Sequence, residues 1–166
     1  PLGQCDAAGD VFGPPTRLQV TFYNQPLGQV LNPLLDLEES GPIEAVDVAL
    51  GDGWLWVAWA TVLDEATARL RLARVGLTGT LLSGPDDITL LTRPSTFSIA
   101  RFGDRLATAV IQVTAGGQRF VAVRTLETSG ALDYDFLVVP ESVTGVAIAG
   151  EPSGKRLLLA ITQDQP

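Results

Sequence analysis

Short apolar runs separated by turn residues recur along the chain. VDVAL (46–50) precedes Gly51-Asp52-Gly53, and WLWVAWATV (54–62) follows it. Gly-Asp-Gly between apolar runs is typical of a hairpin turn, and the aromatic and β-branched residues of the second run favour a strand. The next run, ARLRLAR (68–74), alternates with period two, as expected for a strand with one solvated side. We therefore predict that Arg69, Arg71 and Arg74 form a solvated strand rim.

The rest of this unit also has the character of strands. A turn at Thr78-Gly79 leads to TLL (80–82), and the Gly- and Pro-containing segment 83–87 breaks the chain before ITLL (88–91). No stretch keeps a helical period with caps at both ends. The pattern predicts an all-β fold whose unit is a meander of four antiparallel strands.

The unit recurs with a period of 51 residues. The matching positions carry leucine, alanine and large apolar residues: Leu55, Leu106 and Leu157; Ala58, Ala109 and Ala160; Trp59, Val110 and Ile161. A second set, in which Leu70 and Leu72 match Val121 and Val123, keeps the same offset. Coincidence at one fixed offset across both sets indicates an internal repeat rather than shared composition.

Four-stranded units of this length, repeated along a chain, are typical of a β-propeller. The residues that carry a resemblance to a known class of repeats are Pro42, Val48-Ala49, Gly53, Trp54-Leu55, Trp59, Gly79 and Leu82. In these positions the chain resembles a divergent class of bacterial propeller repeats over roughly residues 15 to 165. The resemblance implies a scaffold rather than an activity, and it implies export from the cytoplasm.

The repeat divides the chain into an N-terminal tail (1–14), a half blade (15–41), two whole blades (42–92 and 93–143) and a second half blade (144–166). This makes about three blades, whereas closed propellers typically need four to eight. We therefore predict a partial propeller that is completed by another chain or by missing sequence. Two copies related by a two-fold axis, the commonest oligomer symmetry, would make a ring of six blades.

Composition narrows the possible chemistry. The chain has no histidine and one cysteine, Cys5, so the commonest general base and metal ligand is absent and an internal disulfide is excluded. The net charge of −8 disfavours nucleic acid, because phosphate binding needs clustered Lys and Arg. No apolar run is long enough to cross a membrane. We expect no cofactor, no metal site and no catalytic residues.

Two pairs of residues are the candidate ligand-binding positions. Trp54 aligns with Arg105 and Arg156, so we expect it to be exposed. Beside Asp52 it could stack on a sugar ring, but we favour a shielded or interface residue. Trp59 aligns with apolar residues and is predicted to be core. Asp86 and Asp87 are adjacent acids, as in Asp133-Tyr-Asp135, and such acids are more typical of solvated turns than of glycosidase chemistry.

The sequence thus predicts a non-catalytic structural scaffold for protein–protein interaction. Its expected partner is another protein chain or a second copy of itself. The alternative is a module that binds carbohydrate or a cell-surface polymer through Asp52, Trp54, Asp86 and Asp87.

Overall fold

A computed structural model describes residues 15–21, 23–24, 29–30, 35–127, 132–138 and 142–163. Every regular element in these ranges is a β-strand, which confirms the all-β class. The strands are β1 (Arg17–Val20), β2 (Tyr23–Asn24), β3 (Gln29–Val30), β4 (Leu35–Glu38), β5 (Ile43–Leu50), β6 (Trp54–Val62), β7 (Thr67–Gly76), β8 (Leu81–Thr92), β9 (Phe97–Phe102), β10 (Arg105–Val113), β11 (Arg119–Leu126), β12 (Leu132–Val138), β13 (Val143–Gly150) and β14 (Leu157–Gln163).

The strands form several small antiparallel sheets. The first four-stranded sheet has the order β5-β6-β7-β8 and the second has β9-β10-β11-β12, so each is the predicted meander. The N-terminal sheet pairs β1 with β4, the C-terminal sheet pairs β13 with β14, and β2 pairs with β3 in a short ladder. Among the described residues, no strand of the N-terminal sheet pairs with a strand of the C-terminal sheet.

The register of the first two strands is repeated in three sheets. Val46 lies opposite Trp59, Phe97 opposite Val110, and Val146 opposite Ile161. The second strands keep the 51-residue spacing, but Val146 follows Phe97 by only 49 residues. The hairpin turn of the C-terminal sheet is therefore two residues longer than the other two, and the paired strands keep their register.

The sheets pack face to face in chain order. We call the face of a sheet that is directed toward the N-terminal sheet its upstream face and the opposite one its downstream face. Three apolar clusters fill the spaces between successive sheets. The first joins Leu18 to Val57, Trp59, Ala73 and Val75; the second joins Ala58, Ala60 and Leu70 to Ile99, Leu106 and Val110; the third joins Ala107, Ala109 and Val121 to Val143 and Ile148.

Alternation along β6 and β10 places residues of different size on the two faces. In β6, Trp59 and Val57 lie on the upstream face, and Ala58 and Ala60 lie on the downstream face. The predicted core position of Trp59 is confirmed, because its side chain is fully buried. Because each alanine-bearing face meets a face with larger residues, the backbones of successive sheets can approach closely without leaving a void.

Side chains of the first strands also bond to the backbone of the next sheet. Asp47 of β5 accepts a hydrogen bond from the Ile99 amide at 2.8 Å. Ser98, the equivalent of Asp47, accepts one from the Ile148 amide at 3.4 Å. These bonds join the first strands of three successive sheets and satisfy backbone amides at the edges of those sheets.

Two expectations about strand character were wrong. Residues 83–87 do not end a strand, because β8 runs from Leu81 to Thr92 and absorbs the irregularity as shifts in its register with β7; an extra residue in one strand is accommodated as a bulge. The predicted solvated arginine rim is also wrong. Arg71 and Arg74 are only partly exposed and lie over tryptophan rings on opposite faces of the sheet.

Candidate interaction site

The four candidate binding residues lie in two separate places. Asp52 is in the β5–β6 turn and Trp54 begins β6, whereas Asp86 and Asp87 lie within β8, not in a loop. Asp87 is opposite Arg71, and Arg71 is opposite Trp59, so Asp87 is two strands across and five residues along from Trp54. At strand spacings of about 4.8 Å and a rise of about 3.3 Å per residue, the two pairs cannot share one small ligand.

Asp52 is committed to a contact between sheets. Its carboxylate accepts two hydrogen bonds from the guanidinium of Arg101 in β9, at 2.7 Å for Nη1 and with a shorter contact for Nη2. Asp52 remains largely exposed. This bidentate pair ties the β5–β6 turn to the second four-stranded sheet, so binding of a sugar by Asp52 would have to compete with Arg101.

Trp54 is half-buried, so the expectation of an exposed ring was wrong. The guanidinium carbon of Arg74 lies 5.5 Å from the Trp54 ring centre and 5.7 Å from that of Trp56. The Nε1 edge of Trp54 packs against Gly51, where a Cβ would overlap the ring. One face of the Trp54 ring is therefore already covered by a cation, which is a favourable neighbour for an indole ring.

Asp87 belongs to an ionic network. Its carboxylate accepts a hydrogen bond from Arg71 Nε at 3.1 Å and forms an ion pair with Arg69 at 3.0 Å. Arg71 Nη1 also donates to both carboxylate oxygens of Glu39 at 2.7 Å. Because two arginines hold Asp87, the pair Asp86-Asp87 does not have the arrangement of two free carboxyl groups that glycoside hydrolysis requires. Asp133 and Asp135 lie in β12, whose side chains are outside the described residues.

Glu39 is the polar residue that the sequence does not reveal. Its side chain is 3% exposed, and its Oε1 accepts a hydrogen bond from Trp59 Nε1 at 2.8 Å. A buried carboxylate is tolerated only when its oxygens are paired, and here Trp59 and Arg71 pair them. The sequence does show that Arg71 alternates with apolar residues. This pattern places Arg71 beside Trp59, and so beside Glu39, only once the register of β6 and β7 is known.

The N-terminal sheet repeats part of this arrangement on its outer face. Arg17 forms an ion pair with Asp36, as Arg69 does with Asp87. Gln19 is opposite Asp36, as Arg71 is opposite Asp87. The hydrogen bond from Arg17 holds the pKa of Asp36 below its ordinary value and raises that of Arg17. By these equivalences β1 and β4 correspond to the third and fourth strands of a complete sheet.

A shallow groove of about 420 Å³ separates the β9–β10 turn from the β13–β14 turn. Residues 101–105 and 152–154 line it, and Trp54 does not. Gly103 and Gly154 are in close contact at its floor, each with positive φ. Among the described residues, no group of three or more His, Cys, Asp or Glu side chains is placed to hold a metal ion, and no helix is long and apolar enough to cross a bilayer.

Among the described residues, four of the nine exposed large apolar side chains lie at the two ends of the stack, and the other five lie at the β6–β7 and β7–β8 turns and on β8: Leu63, Leu77, Leu81, Leu82 and Leu90. On β5, Val46, Val48 and Leu50 are 50%, 52% and 62% exposed, and alternation places them on the upstream face. On β14, Leu158 is 70% exposed and lies on the downstream face, beside exposed Ala160. Exposed apolar patches of this kind mark surfaces for contact with another macromolecule.

No protein-family model matches this chain, and neither a curated protein nor a solved structure matches it significantly.

Proposed function

We propose that the protein is a non-catalytic scaffold for protein–protein contact, built from β-propeller blades. The observation that carries the proposal is the repeated interface between sheets. Position for position, Ala49 and Ala58 of the first four-stranded sheet and Ala100 and Ala109 of the second cover the upstream face of the next sheet. Sheets that pack in series with the same inner strands in contact are the arrangement expected of neighbouring blades.

The distribution of charge supports a binding rather than a catalytic role. Asp52, Asp87 and Glu39 are each held by an arginine. In the described part of the chain, the surfaces of β5 and β14 at the two ends of the stack carry exposed apolar side chains, which suits a broad protein partner better than a small polar substrate. The half-buried, cation-covered ring of Trp54 disfavours the alternative of a carbohydrate-binding module.

Site-specific photo-crosslinking tests this proposal. A photoreactive amino acid would replace Leu158 in the full chain, with Leu90 of β8 as the control, because Leu90 is similarly exposed at 59% but lies away from the two end surfaces. In the native cell, we expect covalent adducts with polypeptide at position 158 and far fewer at position 90. Equal labelling at both positions, or polysaccharide binding lost in Trp54→Ala, would contradict the proposal.

A further inference from the structure

The repeat allows each exposed apolar position to be compared with its equivalents. Val48, Ile99 and Ile148 occupy the same position of the first strand in three sheets. Ile99 and Ile148 are 5% and 8% exposed, whereas Val48 is 52% exposed. The difference arises because a two-stranded hairpin of the preceding sheet covers Ile99 and Ile148. In the described part of the N-terminal sheet, β1 and β4 pack against Ile43 of β5 but leave Val48 exposed.

The opposite end of the stack shows the complementary pattern. Trp56, Ala107 and Leu158 occupy one position of the second strand. Trp56 and Ala107 are 2% and 0% exposed beneath the following sheet, whereas Leu158 is 70% exposed. The downstream face of the β13–β14 hairpin is thus a third copy of the surface that covers Ile99 and Ile148. It carries small and apolar residues at the equivalent positions: Ala147, Ala149, Leu158 and Ala160.

The strand edges are complementary as well. In each four-stranded sheet the second strand pairs with the third, as β6 pairs with β7 and β10 with β11. Among the described residues, β14, a second strand, pairs only with β13, and β1, equivalent to a third strand, pairs only with β4. Open edges of this kind are templates for pairing with another chain.

From these observations we infer that the β13–β14 hairpin of a second copy docks on the upstream face of β5. This inference rests on the proposed scaffold function. In the docked state β14 pairs with β1 of the other copy, so β13, β14, β1 and β4 form a complete four-stranded sheet. Leu158 and its neighbours then cover Val46, Val48 and Leu50, as Ala107 and its neighbours cover Ile148 in the chain itself.

A second copy fits this surface better than an unrelated partner, because the chain already carries a hairpin with the required face, and no described strand other than β13 pairs with β14. The two halves of the interface lie at opposite ends of the stack of described sheets, so the β13–β14 hairpin of a chain does not cover β5 of the same chain. Two copies that exchange hairpins reciprocally bury both halves and leave neither edge open. Such a closed pair has two-fold symmetry although each contact joins different surfaces.

Sedimentation of the full chain tests the inference. The wild-type protein should sediment as a dimer of about twice 17.5 kDa. Val48→Asp and Leu158→Asp, which place a charge on opposite halves of the interface, should each be monomeric, because an unpaired carboxylate would be desolvated on docking. Leu90→Asp, the matched control on exposed β8, should remain dimeric. All three positions are exposed, and circular dichroism verifies that each variant is folded.

Mixing the two monomeric variants is the decisive step. The Val48→Asp chain keeps an intact hairpin and the Leu158→Asp chain keeps an intact β5, so the mixture should regain a dimer through one wild-type contact. A wild-type monomer, dimeric Val48→Asp or Leu158→Asp protein, or a mixture that stays monomeric would each overturn the inference. If crosslinks from position 158 then lead only to a different protein, the proposed function survives while the second copy is excluded; no crosslinks would exclude both.

Discussion

The two faces of the first four-stranded sheet bury their side chains in different ways. The upstream face holds one large aromatic residue, Trp59, and a buried carboxylate, Glu39, joined through hydrogen bonds and Arg71. The downstream face carries Trp54 and Trp56 under Arg74 at one end, but further along its second strand alanines such as Ala58 and Ala60 meet Leu106 and Val110. Burial around Trp59 thus depends on the pairing of charges, whereas burial around Ala58 depends on the close approach of backbones.

Of the substitutions that test this comparison, removal of the large aromatic residue should destabilise the protein most. Trp59→Ala deletes a fully buried ring and also leaves Glu39 without one of its donors, so we expect a loss of about 3–5 kcal/mol in the free energy of unfolding. Urea unfolding followed by circular dichroism measures it. Trp54→Ala is the control, and a comparable loss there would show that the half-buried ring is equally important.

Removal of the carboxylate tests the upstream face alone. Glu39→Ala leaves the Trp59 N–H without its acceptor and Arg71 with only Asp87, and we expect a loss of about 2–3 kcal/mol. This lies below the cost of breaking a fully buried pair, because Arg71 is 23% exposed and can regain water. Chemical denaturation with the exposed neighbour variant Glu38→Ala provides the reference. Equal stability of the two variants would mean that the buried network contributes nothing.

Overpacking tests the downstream face. Ala58→Leu inserts a branched side chain where Ala58 is 1% exposed, and we expect about 1–3 kcal/mol of destabilisation. The repeat supplies a matched control, because Ala160 is the equivalent residue and is exposed. Thermal unfolding of Ala160→Leu in the Leu158→Asp background should show almost no loss. A loss as large as that of Ala58→Leu would contradict the assignment of Ala160 to an uncovered face.

The hydrogen bonds between the first strands of successive sheets should contribute less to stability. Asp47→Ala removes the acceptor of the Ile99 amide, and we expect a loss of about 1 kcal/mol. Ser98→Ala removes the longer equivalent bond at 3.4 Å and should cost less. Hydrogen exchange at Ile99 and Ile148 tests both, since the freed amide should exchange faster. Unchanged protection at Ile99 in Asp47→Ala would show that the bond does not join the sheets.

The smallest expected effect depends on pH. Burial alone would raise the pKa of Glu44, but hydrogen bonds from Ser95 and Arg93 outweigh it and hold that pKa below its ordinary value. A folded-state pKa below the unfolded one stabilises the protein above the unfolded value, about 4.3, and this stability is lost as pH falls through the folded value. Between pH 7 and acid, the Tm of Glu44→Gln should therefore fall less than that of the wild type, and an equal fall would exclude this linkage.

The sequence predicts the strands and turns better than the contacts between the sheets and between side chains. Alternation and turn residues indicate the hairpins at Gly51–Gly53 and Thr78–Gly79, because these signals are local and the structure has turns at both. The repeat places Trp59 in the core, because apolar residues, Val110 and Ile161, occupy the equivalent positions. The role of Arg71 could not be predicted, because it depends on Glu39, which lies 32 residues away, directly after β4 of the N-terminal sheet. The half-burial of Trp54 likewise depends on Arg74 across the strand pair.

The candidate binding residues show the same limit. Asp52 and Asp87 are acidic residues near turns, and sequence alone treats such residues as solvated or ligand-binding. Their actual partners, Arg101 and Arg71, come from another sheet and a neighbouring strand. Only the register of the strands and the stacking of the sheets determine which carboxylates are already neutralised.

The longer turn of the C-terminal hairpin has a consequence for how such a protein can change over time. Two extra residues are accommodated there while Val146 and Ile161 keep the pairing seen at Phe97 and Val110. The length of this turn can thus change while the packing of the strands is kept, although close contacts such as that of Gly103 with Gly154 limit the residues allowed at the tips. The β5–β6, β9–β10 and β13–β14 turns connect equivalent strands and contact one another through Asp52, Arg101 and Gly103. New recognition loops could evolve at this rim, or be grafted onto it, without redesign of the sheets.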